Sequence, residues 1–240
     1  MYSLVVENIK CIIAAGGLGT RLQEFRGNKS TKILLDVNGT PMINRQISQL
    51  VNWGMRKFVI ITNPEYFNMI QEVTLGEFKD LEIEFTIQEE PKGISHALYQ
   101  AKDYVDKNEK ILFVLGDNFF GENPMLKLEN RNFESMIFLK KVLNPNEFGV
   151  AKILNNNLID IEEKPDNPSS DLAVVGLYLY SLDCFELIKK LNFSQRGELE
   201  ISDLNNELIK TNSIQFEILD SWWIDAGTEE RIEELKKLIL

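Results

Sequence analysis

Three glycines, Gly16, Gly17 and Gly19, fall within four positions, after the apolar run Cys11 to Ala15 and before Thr20 and Arg21. A buried strand that ends in glycines presents bare backbone, with no Cβ between main chain and ligand and with positive φ open. Successive N–H groups in such a turn point at phosphate oxygens. Arg21 adds a planar, permanently charged fork. The stretch Lys10 to Leu22 therefore reads as a triphosphate cradle. Two other glycine loops are excluded. A dinucleotide fingerprint needs a glycine where Leu22 stands, and a Walker loop needs Gly-Lys-Ser/Thr, which Gly27-Asn28-Lys29-Ser30 interrupts. The same glycines without a ligand make a tight turn; Arg21 and Lys32 favour the anion.

The other chemical residues also handle phosphate. Asp117 follows the apolar run Ile111 to Leu115, at a predicted strand end. A carboxylate there suits Mg²⁺, which takes one or two carboxylates plus phosphate oxygens and water. Asp225, between a tryptophan pair and Gly227, is the candidate second ligand, although Asp-Ala-Gly is also ordinary turn chemistry. Lys32 and Lys164 are the candidate cations; on spacing alone Lys164 reads as a surface lysine in a charge run. Arg196 either positions a charged fork or starts a helix. His96, the one histidine, reads as structural or ligand-binding, and Trp222-Trp223 as core. There is no Ser/His/Asp set and no Cys/His pair. Arg, Lys, Asp and backbone amides suit phosphoryl or nucleotidyl transfer, in which the protein positions reactants and neutralises charge.

The elements that must place these residues follow from periodicity. Strand, helix, strand, helix, strand, helix, strand is predicted from Cys11 to Leu115, the pattern of an open, largely parallel α/β sheet. Ligands bind beyond the carboxyl ends of its strands, where both the glycine turn and Asp117 lie. Thr40-Pro41 is a predicted helix start, with Gly54 as its stop. The second half is richer in strands, with a hairpin turn at Asn155-Asn156-Asn157. Thr228 is the predicted cap of a last helix. No linker separates the halves, so one domain, 1–240, is expected: a core over about 1–135, a β-rich lobe over about 136–227 and a helix from 228.

The 240 residues carry a formal net charge of −11, which excludes a general nucleic-acid binder but not a local anion pocket. Cys11 and Cys184 match no metal spacing and are expected to be reduced thiols in a cytoplasmic protein. No signal peptide and no membrane span is expected, since no run approaches about 20 apolar residues.

Seven segments then occur in register: GGLGTRL at Gly16, LGDNFFG at Leu115, FGVAKI at Phe148, EEKP at Glu162, VGLYLY at Val175, RGELEISDLN at Arg196 and WWIDAGT at Trp222. Together they resemble the sugar-phosphate nucleotidyltransferases, most closely the glucose-1-phosphate thymidylyltransferases, from about Lys10 to Thr228. The resemblance implies a Rossmann-like, mostly parallel but mixed sheet flanked by helices, with a sugar-binding lobe. It implies a nucleotide site of Ala15, Gly16, Gly17, Thr20, Gln88, Gly93 and Asp117. In it, Gln88 reads the base edge and Gly93 lets the base approach. Arg21 and Lys32 brace the α-phosphate and the departing pyrophosphate. Asn118, Gly149, Glu163, Lys164, Val174 and Arg196 hold the sugar phosphate, with Lys164 also catalytic, and Asp117 and Asp225 hold Mg²⁺. The implied substrates are dTTP or UTP and a hexose-1-phosphate.

Departures bear on base and sugar. Ala14 stands where leucine is common beside the base, Val175 where threonine is common beside the sugar, and His96 where glutamine is common. CTP or another triphosphate with a different acceptor is the alternative within the class; a non-catalytic nucleotide-binding subunit is the alternative outside it. A homo-oligomer is compatible with the resemblance. Longer relatives carry C-terminal helices that help build a regulatory nucleotide site, so weak end-product control through such a site is expected.

Overall fold

A computed structural model describes residues 8–17, 31–128 and 131–239. After β1 (Ile9–Ala14) come a short hairpin of β2 (Asp36–Val37) and β3 (Thr40–Pro41), then α1 (Met42–Asn52), β4 (Lys57–Thr62), α2 (Phe67–Glu77), β5 (Glu82–Ile87), α3 (Ile94–Gln100) and β6 (Lys110–Leu115). Strands β5, β4, β1 and β6 lie side by side in that order and all run parallel. Strand β1 is apolar on both faces because both are covered. Cys11 and Ile13 face the core under α1 and α2; Ile12 faces the core under α3. Strand β5 is the edge, and its alternation has two uses. Ile83 and Phe85 pack on the core, while Glu82 and Glu84 neutralise the buried Lys10 at 3.1 and 3.0 Å.

The second half adds β7 (Asn118–Phe120), β8 (Ser135–Lys141), β9 (Gly149–Leu154), β10 (Asn157–Glu163), β11 (Leu172–Tyr180), α4 (Asp183–Ile188), α5 (Ile201–Lys210), β12 (Ile214–Ile218), β13 (Trp223–Asp225) and α6 (Glu229–Leu238). Strand β11 runs antiparallel to β6 and joins this half to the same sheet. It pairs with β9 near its start, with β6 near its end and with β8 on its other side, with a break in register between Val174 and Tyr178. The sheet is thus mixed, as expected. Asn155 and Asn156 turn the β9–β10 hairpin in the left-handed region, which asparagine tolerates. Thr228 caps α6 as predicted, its hydroxyl accepting from the Arg231 N–H.

The start of α1 differs from expectation. Thr40 is held in the hairpin opposite Val37, its hydroxyl makes no cap, and Pro41 precedes the first helical residue. The Met42 N–H is satisfied instead by the Leu35 carbonyl at 2.9 Å, so pairing of the hairpin replaces side-chain capping.

Gly93, before α3, has φ +101, and a Cβ there would stand 2.6 Å from the Leu199 carbonyl oxygen. Leu199 is fixed by its own N–H to the Lys92 carbonyl and by its carbonyl to the Ser95 N–H. Gly93→Ala is therefore expected to lower stability by about 2–4 kcal/mol. Urea unfolding measures this, and a midpoint matching the parent's would contradict it.

Candidate active site

The carboxyl ends of β1, β5 and β6 meet at one cavity of about 370 Å³. Ala14, Gly16 and Gly17 enter it from the end of β1, Gln88 from β5, and Gly93 from the start of α3. Asn63, after β4, donates to the Gly16 carbonyl at 3.2 Å, and a Cβ on Gly16 would press on the Thr62–Asn63 backbone at 3.2 Å. Glycine is required there so that the turn can pass β4 closely, a constraint of packing that spacing alone did not reveal. Thr20 and Arg21 lie outside the described residues.

A second cavity of about 270 Å³ opens on the β-rich side, lined by Gly149, Glu163, Lys164, Val174, Trp223 and Asp225, among others. Lys32 and Asp117 line both cavities. The Lys32 ammonium donates to Asp117 Oδ2, and the Asn118 amide donates to Asp117 Oδ1 at 2.8 Å. Burial pushes the Asp117 carboxyl upward, but Lys32 and Asn118 outweigh it and hold the group below the usual carboxylate range. Asp117 is therefore an anion at neutral pH. Asp225 reaches the same place because β13 pairs antiparallel with β7, opposing Asp225 to Asn118, and because the Ala226 N–H donates to the Asp117 carbonyl at 2.8 Å. The α6 side chains Ile232 and Leu235 bury this small sheet against Phe119 and Ile224.

A family model described as nucleotidyl transferase matches residues 10–240. The chain is 37% identical to a glucose-1-phosphate thymidylyltransferase of Neisseria meningitidis serogroup A over 96% of its own length and 82% of that relative. A crystal structure from Bacillus anthracis, provisionally described as a glucose-1-phosphate thymidylyltransferase and containing sucrose, superposes with TM-score 0.87 at 34% identity. It covers 96% of this chain and 94% of that one. A UDP-glucose pyrophosphorylase complexed with UDP-glucose shares the fold at TM-score 0.82 and 21% identity, over 95% and 97% of the two chains. The chain belongs to the nucleotidyl transferase family.

Enzymes of this family generally use a divalent metal. The residues present suit one: two carboxylates, Asp117 from the turn after β6 and Asp225 from the end of β13, line a single cavity. Among the described residues there is no cluster of three or more metal-ligating side chains. That favours an ion completed by substrate phosphate and water. Asp225 is also approached by Arg231 of α6, 3.6 Å from its Oδ2.

On the β-rich side of this nucleotidyl transferase, Glu163 ends β10 opposite Gly149, and Lys164 follows it. Lys164 has φ +45, uncommon for a side-chain-bearing residue, and its N–H donates to the Phe148 carbonyl at 3.0 Å. Glu163 accepts from Arg196 at 3.2 Å and from the Ser202 hydroxyl. Arg196 lines neither cavity; Glu200 grips it through Nε at 3.1 Å and Nη2 at 2.8 Å. In this structure it braces Glu163 from behind. Tyr178 also lines the cavity, but burial, with Glu163 and Asp117 adding, pushes its phenol far up, so it stays neutral.

Asn118 lines the second cavity and is 2% exposed; its Oδ1 accepts from the Gly176 N–H at 3.0 Å and the Trp223 indole at 2.7 Å, while its NH₂ orients Asp117. Trp223 is half-buried: it packs against the core, as Trp222 does on the other side, and its indole N–H donates in the cavity wall. Val175 is fully buried under α1 and α2, because alternation along β11 sends Val174 to the cavity and Val175 away from it. The residue beside the sugar-side cavity is Val174.

Sequence reasoning also missed Gln46 and Gln49 of α1. Gln46 donates to the Leu115 and Asn118 carbonyls at 2.7 and 3.0 Å, and Gln49 bonds both backbone groups of Phe120. The available signal was a polar residue on the helix's apolar face. Asn118→Ala removes the acceptor of the Trp223 indole and of the Gly176 N–H and takes the Asn118 hydrogen bond from Asp117, which keeps Lys32. It is expected to cost about 2–4 kcal/mol and to raise the Asp117 pKa, read by urea unfolding and carboxyl NMR. A parent-like Asp117 titration in that variant would contradict the bracket.

Proposed function

We propose that this chain, as one catalytic unit in the cytoplasm, transfers a nucleoside monophosphate from dTTP or UTP to a hexose-1-phosphate, glucose-1-phosphate foremost, releasing pyrophosphate. The observation that carries this is the Lys32–Asp117 pair standing where two cavities meet. One cavity holds a glycine turn and an amide suited to a base. The other holds Lys164, Glu163 and the bare backbone of Gly149. A nucleoside triphosphate in the first and a sugar-1-phosphate in the second would meet at Asp117. The similarity to thymidylyltransferases supports the substrate pair.

Each residue then has a physical task. Gly16 and Gly17, with Thr20 and Arg21, cradle the triphosphate. Lys32 faces the α-phosphate and offsets charge that moves onto pyrophosphate. Lys164 holds the sugar phosphate, whose oxygen is already ionised and needs no general base to attack the α-phosphorus in line. Glu163 accepts from sugar hydroxyls, oriented by Arg196 and Ser202. Asp117 and Asp225 would hold Mg²⁺, which supplies charge neutralisation between the two anions when bound. Bringing two polyanions together is strongly unfavourable in water, and each positioned cation is worth about 3 kcal/mol in the transition state.

A pyrophosphate-release screen crossing triphosphates with sugar-1-phosphates tests the reading, with dTTP or UTP and glucose-1-phosphate expected as the preferred pair. Asp117→Asn and Lys164→Ala should each lower turnover by about a hundredfold or more without loss of the folded state by circular dichroism. Near-parent pyrophosphate release from either variant would remove that residue from the mechanism, and no activity with any pair would favour a binding role.

A further inference from the structure

Arg231, in the first turn of α6, lines neither cavity, yet its guanidinium reaches two carboxylates that line the sugar-side one. Its Nη2 donates to Glu147 Oε2 at 2.5 Å, and its Nη1 lies 3.6 Å from Asp225 Oδ2. Its Cζ also stands 5.3 Å from the centre of the Phe148 ring, within cation–π range. That ring meets Trp223 edge-on at 5.1 Å. Three contacts thus hold the guanidinium, and Ile232 and Leu235 fix its helix against Phe119 and Ile224. Both of the aspartates read above as metal ligands therefore have a protein cation at Oδ2, Lys32 on Asp117 and Arg231 on Asp225. The two cations differ in freedom. Lys32 is a point charge on a flexible stem and can leave Asp117 for a phosphate. Arg231 is anchored through Glu147 and Phe148 and stays beside Asp225.

We infer that Arg231 is a positioning residue that holds down the affinity of Asp225 for a bare divalent cation, so that the ion is taken up together with the triphosphate. The inference rests on the reading of Asp117 and Asp225 as the metal carboxylates. Its cause is electrostatic. The Arg231 and Asp225 side chains are each 24% exposed, so the charge between them is only partly screened. An ion that binds Asp225 by itself meets a fixed positive charge at close range. A triphosphate offsets that repulsion, because its oxygens ligate the ion and bring negative charge of their own. While the site is empty, the same guanidinium steadies Asp225, since two carboxylates lining one cavity repel each other. Glu147 and Phe148 then have a task of their own. They keep the guanidinium from turning out to solvent when an ion approaches.

The test is a titration of Mn²⁺ into the full chain without nucleotide, with the free ion followed by electron paramagnetic resonance. Arg231→Gln should bind Mn²⁺ about tenfold more tightly than the parent. Arg231→Lys keeps the charge and should stay near the parent. Arg231→Met keeps the stem over Phe148 and measures the same loss of charge should Arg231→Gln not fold. By linkage, Mn²⁺ should raise the affinity for dTTP, read by calorimetry, less in Arg231→Gln than in the parent. Unchanged or weaker Mn²⁺ binding by the neutral variants would overturn the inference. So would Mn²⁺ binding by Arg231→Lys as tight as theirs, or an equal gain for dTTP in variant and parent. Asp225→Asn separates the two levels. Added to Arg231→Gln, it should abolish the gained Mn²⁺ affinity; if the gain survives, Asp225 is not a metal ligand and the metal reading itself fails. If Asp225→Asn alone weakens Mn²⁺ binding while Arg231→Gln does not strengthen it, only the role of Arg231 fails.

Discussion

The Lys32 ammonium meets the Asp117 carboxylate at the carboxyl end of the central sheet, and the surrounding structure serves to keep that carboxylate in place. A largely buried anion is tolerated only when opposite charge and hydrogen bonds replace water. Lys32 supplies the charge and Asn118 the hydrogen bond. Asn118 is itself held by Gly176 of β11 and Trp223 of β13. Gln46 of α1 grips the backbone on either side, at Leu115 and Asn118. Three elements distant in sequence thus converge on one residue pair. Each arrives for its own reason: α1 to bury Ile43 and Ile47, β13 to bury Ile224 under α6, and β11 to extend the sheet.

The break in β11 is part of the same arrangement. Between its pairing with β9 and its pairing with β6, the Gly176 N–H is free of a strand partner and is given to Asn118. A side chain at Gly176 would collide with Asn118, its Cβ lying 2.7 Å from the Asn118 amide. The two cavities share Lys32, Ile94, Leu115 and Asp117 in their walls.

Charge is divided between the two ends of the sheet. At the amino ends of the strands Lys10 meets Glu82 and Glu84, and Lys57 meets Glu109 at 2.9 Å, so these charges are neutralised among themselves. At the carboxyl ends Lys32 and Lys164 face cavities. In a chain of formal net charge −11, two lysines thus line cavities at the carboxyl ends. Arg196 belongs to neither group; surrounded by Glu163, Glu198 and Glu200, it orders a carboxylate network beside the sugar-side cavity.

The sequence alone determined the parallel core, because β1, β4 and β6 are continuous apolar runs and β5 alternates, patterns that burial on two faces or one imposes directly. It also singled out Asp117, Asp225 and Lys32 by residue type and position, and Lys164 through the family resemblance, and the structure places these four around one cavity. It fixed the Asn155-Asn156 turn and the Thr228 cap, which depend on neighbours only a few positions away. Tertiary structure alone decided that Asn118 is a bracket, that Val174 and not Val175 faces the sugar side, that Trp223 is a donor and that Arg196 stands behind Glu163. Those outcomes turn on partners 33 to 105 residues away and on where a register breaks, and pairing at that distance leaves no local periodicity to read.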